Sequence, residues 1–165
     1  PRLGKSSLQG DVGFADVLRR MGAEARIEKD SVTVTGTAFL DGIDIDLSTM
    51  PDQAQTLAVV ALFAQGETTI RGLHTLRVKE TDRIAALANE LTKLGAAVDV
   101  RSDDLIVRPP KQIRPAAIDT YDDHRMAMSF AVAGIRAPGV TIKDPECVNK
   151  TYPNYFEDLG RLRVG

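Results

Sequence analysis

Tryptophan is absent from the 165 residues, only 5% are aromatic, and the net charge is −2 with no polybasic tract. Nucleic acid is therefore a poor main partner, since it requires a cationic stripe and stacking rings. Cysteine is nearly missing as well. Cys147 stands alone, which excludes an internal disulfide and suits a reducing compartment. No Cys or His lies at ligand spacing from it, so no metal is expected. No apolar run approaches the roughly 20 residues of a membrane span, and no signal peptide is recognisable. The chain starts Pro1-Arg2-Leu3 without an initiator Met and is expected to be a piece of something longer. With 43% apolar and 27% charged residues, what remains reads as one ordinary soluble globular domain.

Against those absences stands an internal repeat. Displaced by 73 positions, residues 11–66 lie on 84–139 without a gap, and 13 of 56 positions are identical. About four identities are expected by chance at average composition. The matches include Leu18/Leu91, Gly22/Gly95, Asp46/Asp119, Ala58/Ala131 and Gly66/Gly139. A duplicated structural unit is the natural reading.

One full unit spans residues 43–108. Ile43–Asp46 reads as a strand, and Pro51 suits the first position of a helix. Residues 54–64 are apolar on every side, as in a buried helix. Gly66 ends that helix, and Thr68–Arg71 forms a strand. Residues 80–94 predict a second helix, with Ile84, Leu87, Ala88, Leu91 and Leu94 on one stripe and Gly95 as its cap. Ala97–Arg101 and Leu105–Arg108 predict a hairpin. The order is βαβαββ, flanked by a half copy over about 10–35 and a βαβα copy over about 116–162. One α/β (α+β) domain covering 1–165 is expected, because ββ pairs interrupt the alternation of a doubly wound sheet.

Charge gathers at two places. Residues 78–83 read Val-Lys-Glu-Thr-Asp-Arg and residues 121–128 read Tyr-Asp-Asp-His-Arg-Met-Ala-Met. Each sits before an apolar helical run, where unpaired N–H groups and the helix dipole favour anions. Lys79, Arg83 and Arg125 add positive charge, while Glu80, Asp123 and His124 can move protons. At i, i+4 spacing Lys79 and Arg83 are expected to project together, with Glu80 beside them. A multiply anionic small molecule fits this pattern. Gly4-Lys5-Ser6 lacks the earlier glycine of a phosphate-binding loop, and His74 reads as a surface histidine.

Leu76–Arg83 and Asp122–Met128 resemble the two signature segments of the 5-enolpyruvylshikimate-3-phosphate synthase family. Gln9-Gly10-Asp11, Met50-Pro51-Asp52 and the segment around Asn149-Lys150-Thr151-Tyr152-Pro153 extend the resemblance over nearly the whole chain. It implies the C-terminal portion of an enzyme usually more than twice as long. The fold it implies is repeated βαβαββ units around a pseudo-threefold axis, with buried helices and sheets outside. The activity it implies is transfer of the enolpyruvyl group of phosphoenolpyruvate to shikimate 3-phosphate, without cofactor or metal.

By that resemblance Asp52 accepts the 5-hydroxyl proton and contacts shikimate 3-phosphate with Lys79. Arg83, Arg125 and Lys150 bind phosphoenolpyruvate, and Glu80 and His124 assist proton transfer. Thr75 stands where some members carry Asn. The partner is expected to be an N-terminal domain of the same protein, monomeric as a whole. Its compartment is expected to be the cytoplasm, or the plastid if the source is a plant. The isolated piece is expected to be inactive. Alternatives are a UDP-N-acetylglucosamine enolpyruvyl transferase and an RNA 3′-phosphate cyclase-like repeat protein.

Overall fold

The computed structural model describes residues 3–7 and 10–162, so Gln9 of the Gln9-Gly10-Asp11 segment lies outside the described residues. Helix α1 (Phe14–Arg20) leads into the antiparallel pair β1 (Glu24–Ile27) and β2 (Val32–Thr35). Next come β3 (Leu40–Asp41), β4 (Asp44–Asp46), α2 (Ala54–Ala61), β5 (Ala64–Gln65) and β6 (Thr68–Arg71). Then follow α3 (Arg83–Lys93), β7 (Ala97–Arg101) and β8 (Asp104–Arg108). The last elements are β9 (Ala116–Ile118), α4 (His124–Arg136), β10 (Val140–Ile142) and α5 (Tyr155–Leu162). Strands β4, β6, β8 and β7 form one mixed sheet in that order, while β9 and β10 pair parallel to each other. The architecture is α+β, as the interrupted alternation predicts.

Backbone pairing follows the 73-residue displacement. In the first hairpin Glu24 faces Thr35 and Ile27 faces Val32; in the second Ala97 faces Arg108 and Val100 faces Leu105. The bonds closing α1, from Gly22 N–H to Arg19 and from Ala23 N–H to Leu18, recur as Gly95 to Thr92 and Ala96 to Leu91. Gly22 and Gly95 take φ of 105° and 96°, a left-handed conformation only glycine adopts without strain. Beyond Gly139 the correspondence shifts by one residue. Asp44 pairs with Thr69, whereas Ala117 pairs with Thr141.

Two expected boundaries move. The helix expected over 54–64 ends at Ala61, and Leu62 and Phe63 close a turn. Ala64–Gln65 is extended and pairs with β3, which a wholly apolar run cannot signal by periodicity. The helix expected from Glu80 begins at Arg83, because the Asp82 carboxylate accepts from Ile84 N–H and Ala85 N–H, both at 3.1 Å. The core is shared by α2, α3, α4 and the mixed sheet. Leu57, Ile70, Leu76, Leu87, Leu91, Leu105, Ile118 and Phe130 are all fully buried in it. Helix α4 is apolar but not enclosed, since Val132 and Ile135 reach solvent.

Candidate active site

The starts of α2, α3 and α4 meet at one guanidinium. Arg83 opens α3, and capping by Asp82 turns it inward, where its side chain is only 2% exposed. Its Nε donates to Asp123 at 2.6 Å, its Nη1 to Asp52 at 2.9 Å and its Nη2 to Glu80 at 2.8 Å. A second bond from Nη2 reaches Asp123 at 3.2 Å, making that pair bidentate. Three carboxylates thus surround one cation. Removing a charge from water is tolerable only with such pairing.

Asp52 lies in the single 3₁₀ turn Pro51–Gln53 that opens α2, and Pro51 takes the position expected of it. Its other oxygen meets Arg125 Nη2 at 3.1 Å, so the two repeat-equivalent helix starts form an ion pair. One turn on, Thr56 and Ser129 repeat the relation, their hydroxyls 3.4 Å apart. The Asp52 side chain is 33% exposed, and its oxygens keep lone pairs beyond those two bonds.

Asp123 is fully buried and caps α4, accepting from Arg125 N–H at 2.8 Å. Burial works to raise its pKa, but the bonds and charge of Arg83 prevail and hold the carboxyl below its ordinary range. It is a fixed counter-ion rather than the proton carrier its charge suggested. His124, 9% exposed, has its pKa lowered, first by burial and then by Arg125 and Lys150, with Asp123 and Glu80 opposing. Its Nδ1 is buried with no hydrogen-bond partner among the described residues. A neutral imidazole with an unused nitrogen at a charged face is equipped to exchange a proton.

The expected site residues separate into two groups. Asp52, Glu80, Arg83 and Arg125 are directly linked, and His124 lies within the electrostatic reach of Glu80, Arg125 and Lys150. Lys79 and Lys150 are exposed. The i, i+4 relation of Lys79 to Arg83 fails: Lys79 is extended, with φ −89° and ψ −152°, before the helix begins. Lys150 ends the 3₁₀ helix Pro145–Lys150, which packs on α4. His74 is exposed as expected. Thr75 buries its hydroxyl without a partner among the described residues.

Gln55 was missed. It is fully buried, and with its amide turned so that both ends are satisfied it accepts from Arg83 Nε at 2.9 Å and donates to the Asp52 carbonyl at 3.3 Å. A lone glutamine inside an apolar helical run is the signal that marked it. Beside Arg125 lies a groove of about 210 Å³ lined by Thr56, Met128, Ser129, Val132 and Tyr155. Among the described residues no three His, Cys, Asp or Glu are grouped to hold a metal ion, and no helix is long and apolar enough to cross a membrane.

The family model described as EPSP synthase (3-phosphoshikimate 1-carboxyvinyltransferase) matches residues 1–159. The 3-phosphoshikimate 1-carboxyvinyltransferase of Vibrio vulnificus is 52% identical over 160 residues, covering 97% of this chain and 37% of its own length. The chloroplastic enzyme of Arabidopsis thaliana is 52% identical over 166 residues, covering 96% of this chain and 32% of its own. Among solved structures, an EPSP synthase from Acinetobacter baumannii superposes with a TM-score of 0.81 at 29% identity, over 96% of this chain and 40% of that one. The chain therefore spans between 32% and 40% of the length of these relatives.

Proposed function

Because the chain belongs to the EPSP synthase family, we propose that it supplies one part of an enzyme transferring the enolpyruvyl group of phosphoenolpyruvate to the 5-hydroxyl of shikimate 3-phosphate. The observation that carries this reading is the meeting of three helix starts around Arg83, Asp52 and Arg125. It gathers two arginines, an acid and a neutral histidine at one face.

The chemistry is addition followed by elimination. Asp52 takes the hydroxyl proton as the oxygen bonds to C2 of phosphoenolpyruvate, and an acid gives a proton to C3. The tetrahedral intermediate then gives up one proton from its C3 methyl group and expels phosphate from C2, restoring the C2–C3 double bond. Glu80 and His124 are the groups placed to carry protons to and from C3. Asp52 and Lys79 hold the shikimate phosphate side. Arg83, Arg125 and Lys150 hold phosphoenolpyruvate, and their positive charge offsets the negative charge that develops on the leaving phosphate.

Lys79, Arg83, Arg125 and Lys150 supply four positive charges, and Asp52, Glu80 and Asp123 offset three of them. Two of those cations are engaged by carboxylates, so an arriving anion meets the exposed lysines first. Because the chain covers only 37% of the Vibrio vulnificus relative, we assign the remaining contacts to an N-terminal domain of the same protein, working as a monomer in the cytoplasm or, in a plant, the plastid. The UDP-N-acetylglucosamine and RNA-end readings gain nothing from the relatives named above.

Phosphate release by the whole protein carrying this chain tests the reading. Release with shikimate 3-phosphate and none with UDP-N-acetylglucosamine is expected, and silence with shikimate 3-phosphate would end it. The 165-residue chain by itself is expected to turn over neither.

A further inference from the structure

The chain enters α2 and α4 through two turns at equivalent places, and they differ in hand. Met50 N–H closes the first on the Leu47 carbonyl at 2.9 Å, and Asp123 N–H closes the second on the Thr120 carbonyl at 2.9 Å. In the first turn the central residues Ser48 and Thr49 keep ordinary negative φ. In the second the central residues Tyr121 and Asp122 take φ of 56° and 53°. Two consecutive left-handed residues ordinarily call for glycine, asparagine or aspartate. Asp122 is among them but Tyr121 is not, so the left-handed conformation at Tyr121 persists only if the surroundings impose it.

The supports differ as well. In the first turn the Asp46 carboxylate accepts from Ser48 N–H at 2.7 Å, a purely local hold. Its counterpart Asp119 turns away instead to Lys93 at 2.6 Å and Lys143 at 2.8 Å. What replaces the local hold is Glu90, a fully buried carboxylate on α3, two turns beyond Arg83. It accepts from the Tyr121 hydroxyl at 2.7 Å and from Asp119 N–H at 3.1 Å, with Lys93 balancing its charge. At the position equivalent to Glu90 the first copy has Val17, and at that of Tyr121 it has Ser48. The left-handed turn occurs where the Glu90–Tyr121 bond occurs.

We propose that Glu90, acting through Tyr121, is a positioning residue: it holds the left-handed turn Thr120–Asp123 and so delivers Asp123 to Arg83 and aims His124 and Arg125 at the anion face. Helix α3 then grips the start of α4 at two levels, Arg83 on Asp123 and Glu90 on Asp119 and Tyr121. The anion-binding consequence rests on the function proposed above; the mechanical one does not.

The test uses the 165-residue chain. Tyr121→Phe keeps the ring and removes the donor. Amide hydrogen exchange is read at Arg125 N–H, which Asp123 protects, and at Val107 N–H in the mixed sheet as a reference. Loss of a bond to a buried carboxylate should speed exchange at Arg125 about tenfold or more and leave Val107 unchanged. Glu90→Gln, which still accepts, should have a smaller effect than Glu90→Leu. Adding Asp122→Gly to Tyr121→Phe should bring exchange back toward the original rate, because glycine takes the left-handed conformation unaided. Unchanged exchange at Arg125 in Tyr121→Phe, or an equal rise at Val107, would overturn the proposal. Inorganic phosphate, followed by shifts at Arg125, should bind several-fold more weakly to Tyr121→Phe. If phosphate fails to bind the unsubstituted chain, the anion-site reading falls while the exchange comparison still decides the positioning role.

Discussion

Arg83 and Arg125 carry the same expected role, yet the fold treats them differently. Arg83, the first residue of α3, is 2% exposed and bonded to three carboxylates. Arg125, the second residue of α4, is 30% exposed and has one carboxylate and a carbonyl 3.4 Å away. A step of one residue along a helix turns a side chain by about 100°, enough to send one guanidinium into the core and leave the other at the rim. The buried arginine ties three elements together and yields to a ligand only if carboxylates move. The rim arginine is the one an anion can reach at little cost.

Asp52 is the carboxylate they share, and removing it should produce the largest effect. Asp52→Ala in the whole protein should lower turnover by about 10²–10⁴-fold, the usual contribution of a general base. In the 165-residue chain the same change leaves Arg83 two carboxylates and Arg125 none, so inorganic phosphate should bind more tightly. Calorimetry on the chain and initial rates on the whole protein read the two arms. Undiminished turnover would remove Asp52 as the base. Phosphate affinity that failed to rise would mean that Arg125 is not the freer cation.

Stability should separate the two arginines next. Arg83→Met strands three carboxylates, two of them at least partly solvated and Asp123 wholly buried. A loss of about 3–5 kcal/mol is expected, as for breaking a buried pair from one side. Arg125→Met breaks a half-exposed pair and should cost no more than about 1 kcal/mol. Urea midpoints at equal slope give both values. Similar losses would erase the distinction between a structural and an available cation.

Part of this was open to reading before any coordinates. Gly22, Gly66, Gly95 and Gly139 punctuate the duplicated pattern, and each takes the positive φ that such a stop requires. The pairing of Asp52 with Arg125 follows from their equivalent places once α2 and α4 pack together. Other features were hidden because they depend on direction rather than spacing. Thr81, Asp82 and Arg83 offer several plausible helix starts, and only capping by Asp82 decides that Lys79 stays outside while Arg83 turns in. Asp123 looks like one of two adjacent surface acids, Asp122 and Asp123, yet only it is buried. Tyr121 takes a left-handed conformation against its residue preference, so no local pattern marks the Tyr121–Asp122 turn.

The smallest effect expected is on His124. Its pKa lies below 6.5 because burial disfavours the imidazolium, with Arg125 and Lys150 adding to the depression and Asp123 and Glu80 opposing it. A depressed base is neutral in the folded chain while the unfolded chain takes up a proton near pH 6.5. Its contribution to stability is therefore full above that pH and is lost as pH falls from 6.5 through the folded value, at no more than about 1.4 kcal/mol per pH unit. His124→Gln should remove this slope from the urea midpoint. In Arg125→Met the His124 ring signals, followed by NMR, should titrate at higher pH than in the unsubstituted chain. Arg83→Lys, which keeps the caged charge, should move that midpoint less. If Arg125→Met left it in place, the charge of Arg125 would be as thoroughly spent on its neighbours as that of Arg83, and the contrast between the two arginines would fail.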